Sequence, residues 1–184
     1  MENDVTTVPF VTCDLLDDNP EKELQVVTPS IDGKFFKSYG ARKSFGGQVV
    51  TVKCFEDNSR VKELLATEGA GKVLVVDGGA SMRCALMGDL IAESAVKNHW
   101  NGVIIYGCVR DVDAIAELDL GVHALAAIPQ KSNRKGIGET DIPLYFGGVS
   151  IQSGDYIYAD NNGIVVAKEP LSNYKTIKNK DKIW

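Results

Sequence analysis

The stretch KVLVVDGGASMRCALMGDLIAESAVKNHWNGVIIYGCVRD, Lys72–Asp111, decides the fold. It opens on Lys72–Val76, a short unbroken apolar run of the kind that forms a strand covered on both faces. Asp77-Gly78-Gly79 then turns the chain, with glycine available for a positive φ. Asp89–Trp100 is predicted to be a helix, because Leu90, Ile91, Ala95 and Val96 share one face and Asn101-Gly102 terminates it. Val103–Tyr106 is a second buried strand. A helix of about twelve residues descends roughly 18 Å, and a strand of five or six residues climbs back a similar distance. If the two strands are parallel, the helix start (Gly88, Asp89, Leu90) and the strand end (Gly107–Asp111) share one rim. Open α/β sheets bind ligands at that carboxyl rim.

The same alternation continues outward. Gln48–Phe55 is β-branched and partly alternating, which predicts a strand. Asp57, Asn58 and Ser59 are capping candidates for a helix over Asp57–Thr67, which Gly69 and Gly71 stop. Val112–Leu118 is a short helix and Val122–Ile128 a strand ended by Pro129. From Gly136 to Lys168 the chain is glycine-rich with short β segments. There Asp160-Asn161-Asn162-Gly163 makes a hairpin turn between Tyr156–Ala159 and Ile164–Ala167. The class is mixed α/β, with one domain over residues 1–171. Residues 172–184 carry four lysines and one aspartate without periodicity, a basic polar tail expected to fray.

Composition narrows the function. The chain has 184 residues, with 20 Lys+Arg against 25 Asp+Glu for a formal net charge of −5. A binder of nucleic acid backbones would need a basic patch, so no direct nucleic-acid contact is expected. Residues 1–24 are strongly acidic, with seven Asp and Glu against Lys22. No run approaches the roughly 18 apolar residues of a membrane helix, and Met1–Val8 has the character of neither a secretory signal nor a transit peptide. Cys13, Cys54, Cys84 and Cys108 are too widely spaced for a CxxC motif, and three sit in apolar stretches. Free buried thiols imply a reducing compartment, so a cytoplasmic location is expected.

The rim holds the chemistry. Gly88-Asp89-Leu90-Ile91 opens a helix, whose free N–H groups and dipole attract an anion such as a carboxylate. Arg110 supplies a cation that grips a carboxylate or keto oxygen in bidentate fashion. Asp111 is a hard oxygen ligand suited to Mg²⁺ or Mn²⁺, and Asp89 faces the same opening and is able to hold a water for proton transfer. Plainer roles remain open at this point: Asp89 as an N-cap, Arg110 and Asp111 as a surface pair, Asp111 as the cap of the helix from Val112. Arg83 is a candidate second cation. His99 and His123 are isolated and read as structural, not as zinc ligands. Glu68–Lys72 lacks the spacing of a phosphate loop, and no G-x-G-x-x-G follows a strand to support a nucleotide-cofactor methyltransferase. Asp155–Gly163 does not have the spacing of a calcium loop.

Five ordered blocks carry a resemblance: SFGGQVVTVKCFEDNS (Ser44–Ser59), GKVLVVDGGASMRCALMGDL (Gly71–Leu90), WNGVIIYGCVRDVDAI (Trp100–Ile115), KGIGE (Lys135–Glu139) and YADNNGIVV (Tyr158–Val166). On them the chain resembles the RraA-like superfamily. That group includes the regulator of ribonuclease E activity A and the class II 4-hydroxy-4-methyl-2-oxoglutarate aldolases. The resemblance implies a swivelling β/β/α domain assembled as a homotrimer, or as a hexamer of two trimers, with sites near subunit boundaries. The aldolase pattern is an aspartate, twenty intervening residues, then Arg-Asp; Asp89, Leu90–Val109, Arg110 and Asp111 match it. It implies that Arg110 and the amides around Gly88, Asp89, Leu90 and Ile91 bind pyruvate. Asp111 would bind a divalent metal (Mg or Mn), and Asp89 would serve a proton-transfer water.

The implied activity is cleavage of 4-hydroxy-4-methyl-2-oxoglutarate to two pyruvates, with oxaloacetate decarboxylation through the same enolate. SFGGQ, VKCFEDN and NRKGIGE look closest to the ribonuclease-regulating branch, whose members lack one or both acidic positions. The alternative is therefore a non-catalytic protein that inhibits ribonuclease E or its helicase through an acidic surface. Retention of Asp89 and Asp111 favours the enzyme.

Overall fold

The computed structural model describes residues 10–28 and 35–171. The expected basic tail at 172–184 lies outside the described residues. In chain order the elements are α1 (Thr12–Asp17), β1 (Gln25–Val26), β2 (Lys37–Ser38), β3 (Phe45–Lys53), α2 (Ser59–Leu65), β4 (Lys72–Asp77), β5 (Ala85–Met87), α3 (Asp89–Lys97), β6 (Gly102–Val109), α4 (Val112–Ile115), β7 (Gly121–Ala127), β8 (Glu139–Thr140), β9 (Leu144–Phe146), β10 (Val149–Ile151), β11 (Tyr156–Ala159) and β12 (Ile164–Ala167). The main sheet runs β1-β12-β11-β3-β4-β6-β7-β2, with β5 paired to β6 and β8 to β3. Its centre, β3-β4-β6-β7, is parallel, and the flanking strands are antiparallel.

The central strands are buried almost without interruption because both faces are covered. On one face Val61 and Leu65 of α2, Ile91, Ala92 and Ala95 of α3, and Ile115 of α4 pack on Leu74, Val76, Val103 and Ile105. On the other, the β9–β10 hairpin sets Leu144, Phe146, Val149 and Ile151 against Val73, Val75 and Ile104. Phe45 shows how closely that second layer is fitted. A Cβ added at Gly102 or Gly121, which are register partners, would fall 2.2 or 2.1 Å from its ring. Side chains at either position would push the ring out of its seat.

Several boundaries differ from the expected ones for physical reasons. The strand expected from Gln48 begins at Phe45, because Gly46 and Gly47 pair with Tyr158 and Ile157 where the former offers no room for a side chain. Helix α3 stops at Lys97, not Trp100: His99 takes a left-handed φ of 64°, and Trp100 turns into the core. β5 and α1 were not anticipated, being too short for periodicity to mark. The Asp160–Gly163 hairpin is present between the expected strands, and Asp160 also receives the backbone N–H and the hydroxyl of Thr12, both at 2.7 Å.

Candidate active site

β4, α3 and β6 form the expected crossover, with β4 and β6 parallel; the unanticipated β5, also parallel to β6, leads into α3 and brings the helix start to the end of β6. The N–H of Arg110 donates to the carbonyl of Met87 at 2.9 Å, tying the strand end to the residue before Gly88. Gly88, in extended backbone, is the N-cap of α3 and caps it with no side chain. A Cβ there would lie 2.4 Å from Asp111 Oδ2 and 3.2 Å from Arg110 Cγ, so the absent side chain is the cradle that holds both groups.

Asp111 occupies the N-cap position of α4 in the left-handed region (φ 54°, ψ 41°) but makes no side-chain cap bond. Its carboxylate instead turns to the rim. Oδ2 accepts from Arg110 Nε at 3.1 Å and from the N–H of Asp89 at 3.4 Å. A non-glycine residue held at such a conformation costs of order 1–2 kcal/mol. The Arg110 guanidinium, with a smaller part from the Asp89 amide, holds the Asp111 carboxyl below the usual range, so the group is an anion. Arg110 also reaches the carbonyl of Pro129 at 3.5 Å through Nη1.

Asp89 does not act as the N-cap. Its Oδ1 takes the N–H of Leu90 at 2.7 Å. Leu90 projects into solvent at 74% exposure, whereas the Ile91 side chain is buried in the core and leaves only its backbone for a ligand. Arg83 is not at this rim: its Nε bonds Glu56 at 2.6 Å and its guanidinium lies over Phe55. His99 pairs with Glu68 at the surface, and His123 is buried against Phe45. The three core thiols, Cys54, Cys84 and Cys108, are all raised by burial, Cys54 to about 12, which keeps them from acting as nucleophiles.

The rim therefore presents a cation, two carboxylates and helix-start amides. Among the described residues no three His, Cys, Asp or Glu side chains converge in a metal cage. Mg²⁺ commonly takes only one or two carboxylates and completes its shell with water and substrate oxygens, so the donor set at Asp111 fits that class of ion. Substituting Gly88 by alanine is expected to displace the Asp111 carboxylate and lower kcat/KM by about 10²-fold. An unchanged kcat/KM in folded Gly88→Ala protein would show that the cradle is not needed.

A family model described as "RraA-like: Aldolase/RraA" matches residues 12–166. A relative from Acinetobacter baylyi, provisionally named 4-hydroxy-4-methyl-2-oxoglutarate aldolase, is 80% identical over 90% of this chain and 98% of its own. One of the same name from Alcanivorax borkumensis is 60% identical over 88% and 98%. Among solved structures, one described as the RNA-processing inhibitor RraA from Thermus thermophilis aligns with TM-score 0.81 and 41% identity, over 92% of this chain and 99% of that one. Another, described as an S-adenosylmethionine: 2-dimethylmenaquinone methyltransferase from Geobacillus kaustophilus, aligns with TM-score 0.83 and 44% identity, over 88% and 97%. With the fold, the five sequence blocks and the family match in agreement, the chain belongs to the RraA-like family.

Proposed function

We propose that this protein is a divalent-metal-dependent carbon–carbon lyase. Its substrate is 4-hydroxy-4-methyl-2-oxoglutarate, which it cleaves to two pyruvates, and it decarboxylates oxaloacetate as a side activity. The observation that carries the reading is the meeting of Arg110, Asp111, Asp89 and the α3 amides on one rim, with Asp111 turned away from a capping role.

Arg110 and the helix-start N–H groups bind the carboxylate and 2-keto oxygen of the substrate, supplying charge where the enolate develops. Asp111 would hold Mg²⁺ or Mn²⁺, partly through water, and the ion supplies Lewis-acid polarisation of the keto group. In the aldol cleavage a base takes the C4 hydroxyl proton, the C3–C4 bond breaks, and its electron pair passes to C3 and the C2 oxygen. The second pyruvate leaves from C4. A water held by Asp89 delivers a proton to C3, giving the first pyruvate. Oxaloacetate loses CO₂ to the same enolate and needs no base for a hydroxyl. It therefore probes Arg110, Asp111 and Asp89 without the base for the C4 hydroxyl, which this reading assigns to a neighbouring subunit of a homotrimer or hexamer.

The test is pyruvate release from both substrates with Mg²⁺ or Mn²⁺, repeated with EDTA. Turnover above the metal-only blank that EDTA abolishes is expected; its absence in folded protein would end the lyase reading. A second reading, inhibition of ribonuclease E, is favoured by the likeness to the Thermus inhibitor and by the exposed acids Asp14, Asp17, Asp18, Glu21 and Glu23. Binding of purified ribonuclease E, weakened by salt, is its test.

A further inference from the structure

A second group of polar side chains stands at the carboxyl edge of the sheet, on the face opposite α3. Glu139, Lys53, Asp77 and Tyr106 are successive register partners across β8, β3, β4 and β6. Residues directly opposite one another in a sheet project to the same side, so the four form a row. Tyr106 packs with the core layer of Val73, Val75 and Ile104, whereas the buried residues of α3 belong to the other layer. This row lines an open cavity of about 670 Å³ that contains none of the rim residues Asp89, Arg110 or Asp111. The volume is within the range of small-molecule sites, about 300–1,000 Å³.

The walls are set in place. The Tyr106 ring stacks on Phe146 at 4.7 Å with 7° between planes, and Asp77 Oδ1 takes the N–H of Gly79 at 2.9 Å. Asp77 is only 7% exposed. Among the described residues, neither the Lys53 ammonium nor the Glu139 carboxylate forms an ion pair. Lys53 thus stands between Glu139 and Asp77 in the row, on strands whose backbones lie about 4.8 Å apart. Around them are Phe55, Ile137 and Tyr145, three large apolar side chains exposed at 56%, 58% and 71%. Exposed apolar groups gathered around a polar floor mark a binding site more than a bare surface.

A simple anion would meet two carboxylates here, and a simple amine would leave Lys53 unmatched. A ligand carrying both charges and an apolar group satisfies the whole row. We propose that the cavity binds an α-amino acid with an apolar or aromatic side chain. Its carboxylate is held by Lys53, its ammonium by Asp77 and Glu139, and its side chain by Phe55, Ile137 and Tyr145. The 2-oxo acids assigned to the rim lack the ammonium, so this inference does not rest on the lyase reading.

The probe is L-phenylalanine, titrated calorimetrically into the full chain, with L-phenylalaninamide and N-acetyl-L-phenylalanine each deleting one charge. Saturable binding of phenylalanine is expected, weakened about tenfold or more in both analogues, as for loss of a charged hydrogen bond. Lys53→Met and Asp77→Asn should each weaken it to a similar degree, and Arg110→Ala should leave it unchanged. Because Asp77 also holds a turn, Glu139→Gln at an exposed position provides a variant that keeps the fold. Equal binding of all three probes, no binding at about 10 mM, or loss of binding in Arg110→Ala would overturn the proposal.

Discussion

Replacing Arg110 by alanine is expected to lower kcat/KM for oxaloacetate by about 10²–10³-fold, the usual cost of deleting a preorganised stabiliser of developing negative charge. The fold should survive, because the bond to the Met87 carbonyl comes from the Arg110 backbone. Arg110→Lys should recover only part of the loss. It restores the charge but not the planar fork that grips a carboxylate and keto oxygen together. Asp111 calls for asparagine rather than alanine, since asparagine tolerates the left-handed backbone seen there (φ 54°). Asp111→Asn should abolish the response to added Mg²⁺ or Mn²⁺ while preserving the thermal midpoint. Steady-state pyruvate assays over a metal titration decide the matter. Parent-like turnover in folded Arg110→Ala or Asp111→Asn protein would contradict the assigned roles.

The second large effect concerns stability. His123 is 2% exposed, its ring packs edge-to-face with that of Phe45 at 5.2 Å between centroids, and neither ring nitrogen has a hydrogen-bond partner among the described residues. The hydroxyl of Ser38, its register partner on β2, is also unpaired among the described residues. Burial is the main reason that the imidazole falls from 6.5 to about 4; Asp160 opposes the shift and Lys43 adds to it. The unfolded chain therefore binds more protons than the folded one between those values. Stability from this group is fully present above pH 6.5 and is lost as pH falls through 4. The loss amounts to about 3 kcal/mol. Urea denaturation at about pH 7 and pH 4.5 should show most of that difference in the parent and little of it in His123→Met. At neutral pH the methionine variant should be no less stable, since it removes an unsatisfied buried polar group. Coincident pH slopes in the two proteins would show that His123 does not set the acid limit.

Much of the site was legible in the chain because it is local to one crossover. The apolar run at Lys72, the amphipathic helix from Asp89 and the strand that leads to Arg110 prescribe a strand–helix–strand unit whose ends meet if its strands are parallel, and they are. At Gly88 local pattern marked only a helix start; the space it leaves for Asp111 Oδ2 exists only because β6 lies beside α3. Whether Asp111 caps α4 or turns to the rim was equally open, because both uses begin from the same residue type. Backbone conformation at that residue separates them.

The row of Glu139, Lys53, Asp77 and Tyr106 was not foreseeable, since its members come from four strands far apart in sequence and only sheet register aligns them. His123 reads from the sequence as a packed strand residue and is one; that neither ring nitrogen finds a partner among the described residues depends on the contacts around it. Periodicity and chain geometry act over neighbouring positions, so the α/β class, the central crossover and the residues that reach its rim could be read along the chain. Tertiary structure alone decided which side chains meet across strands and which buried groups go unpaired, because those depend on contacts between segments that no local pattern encodes.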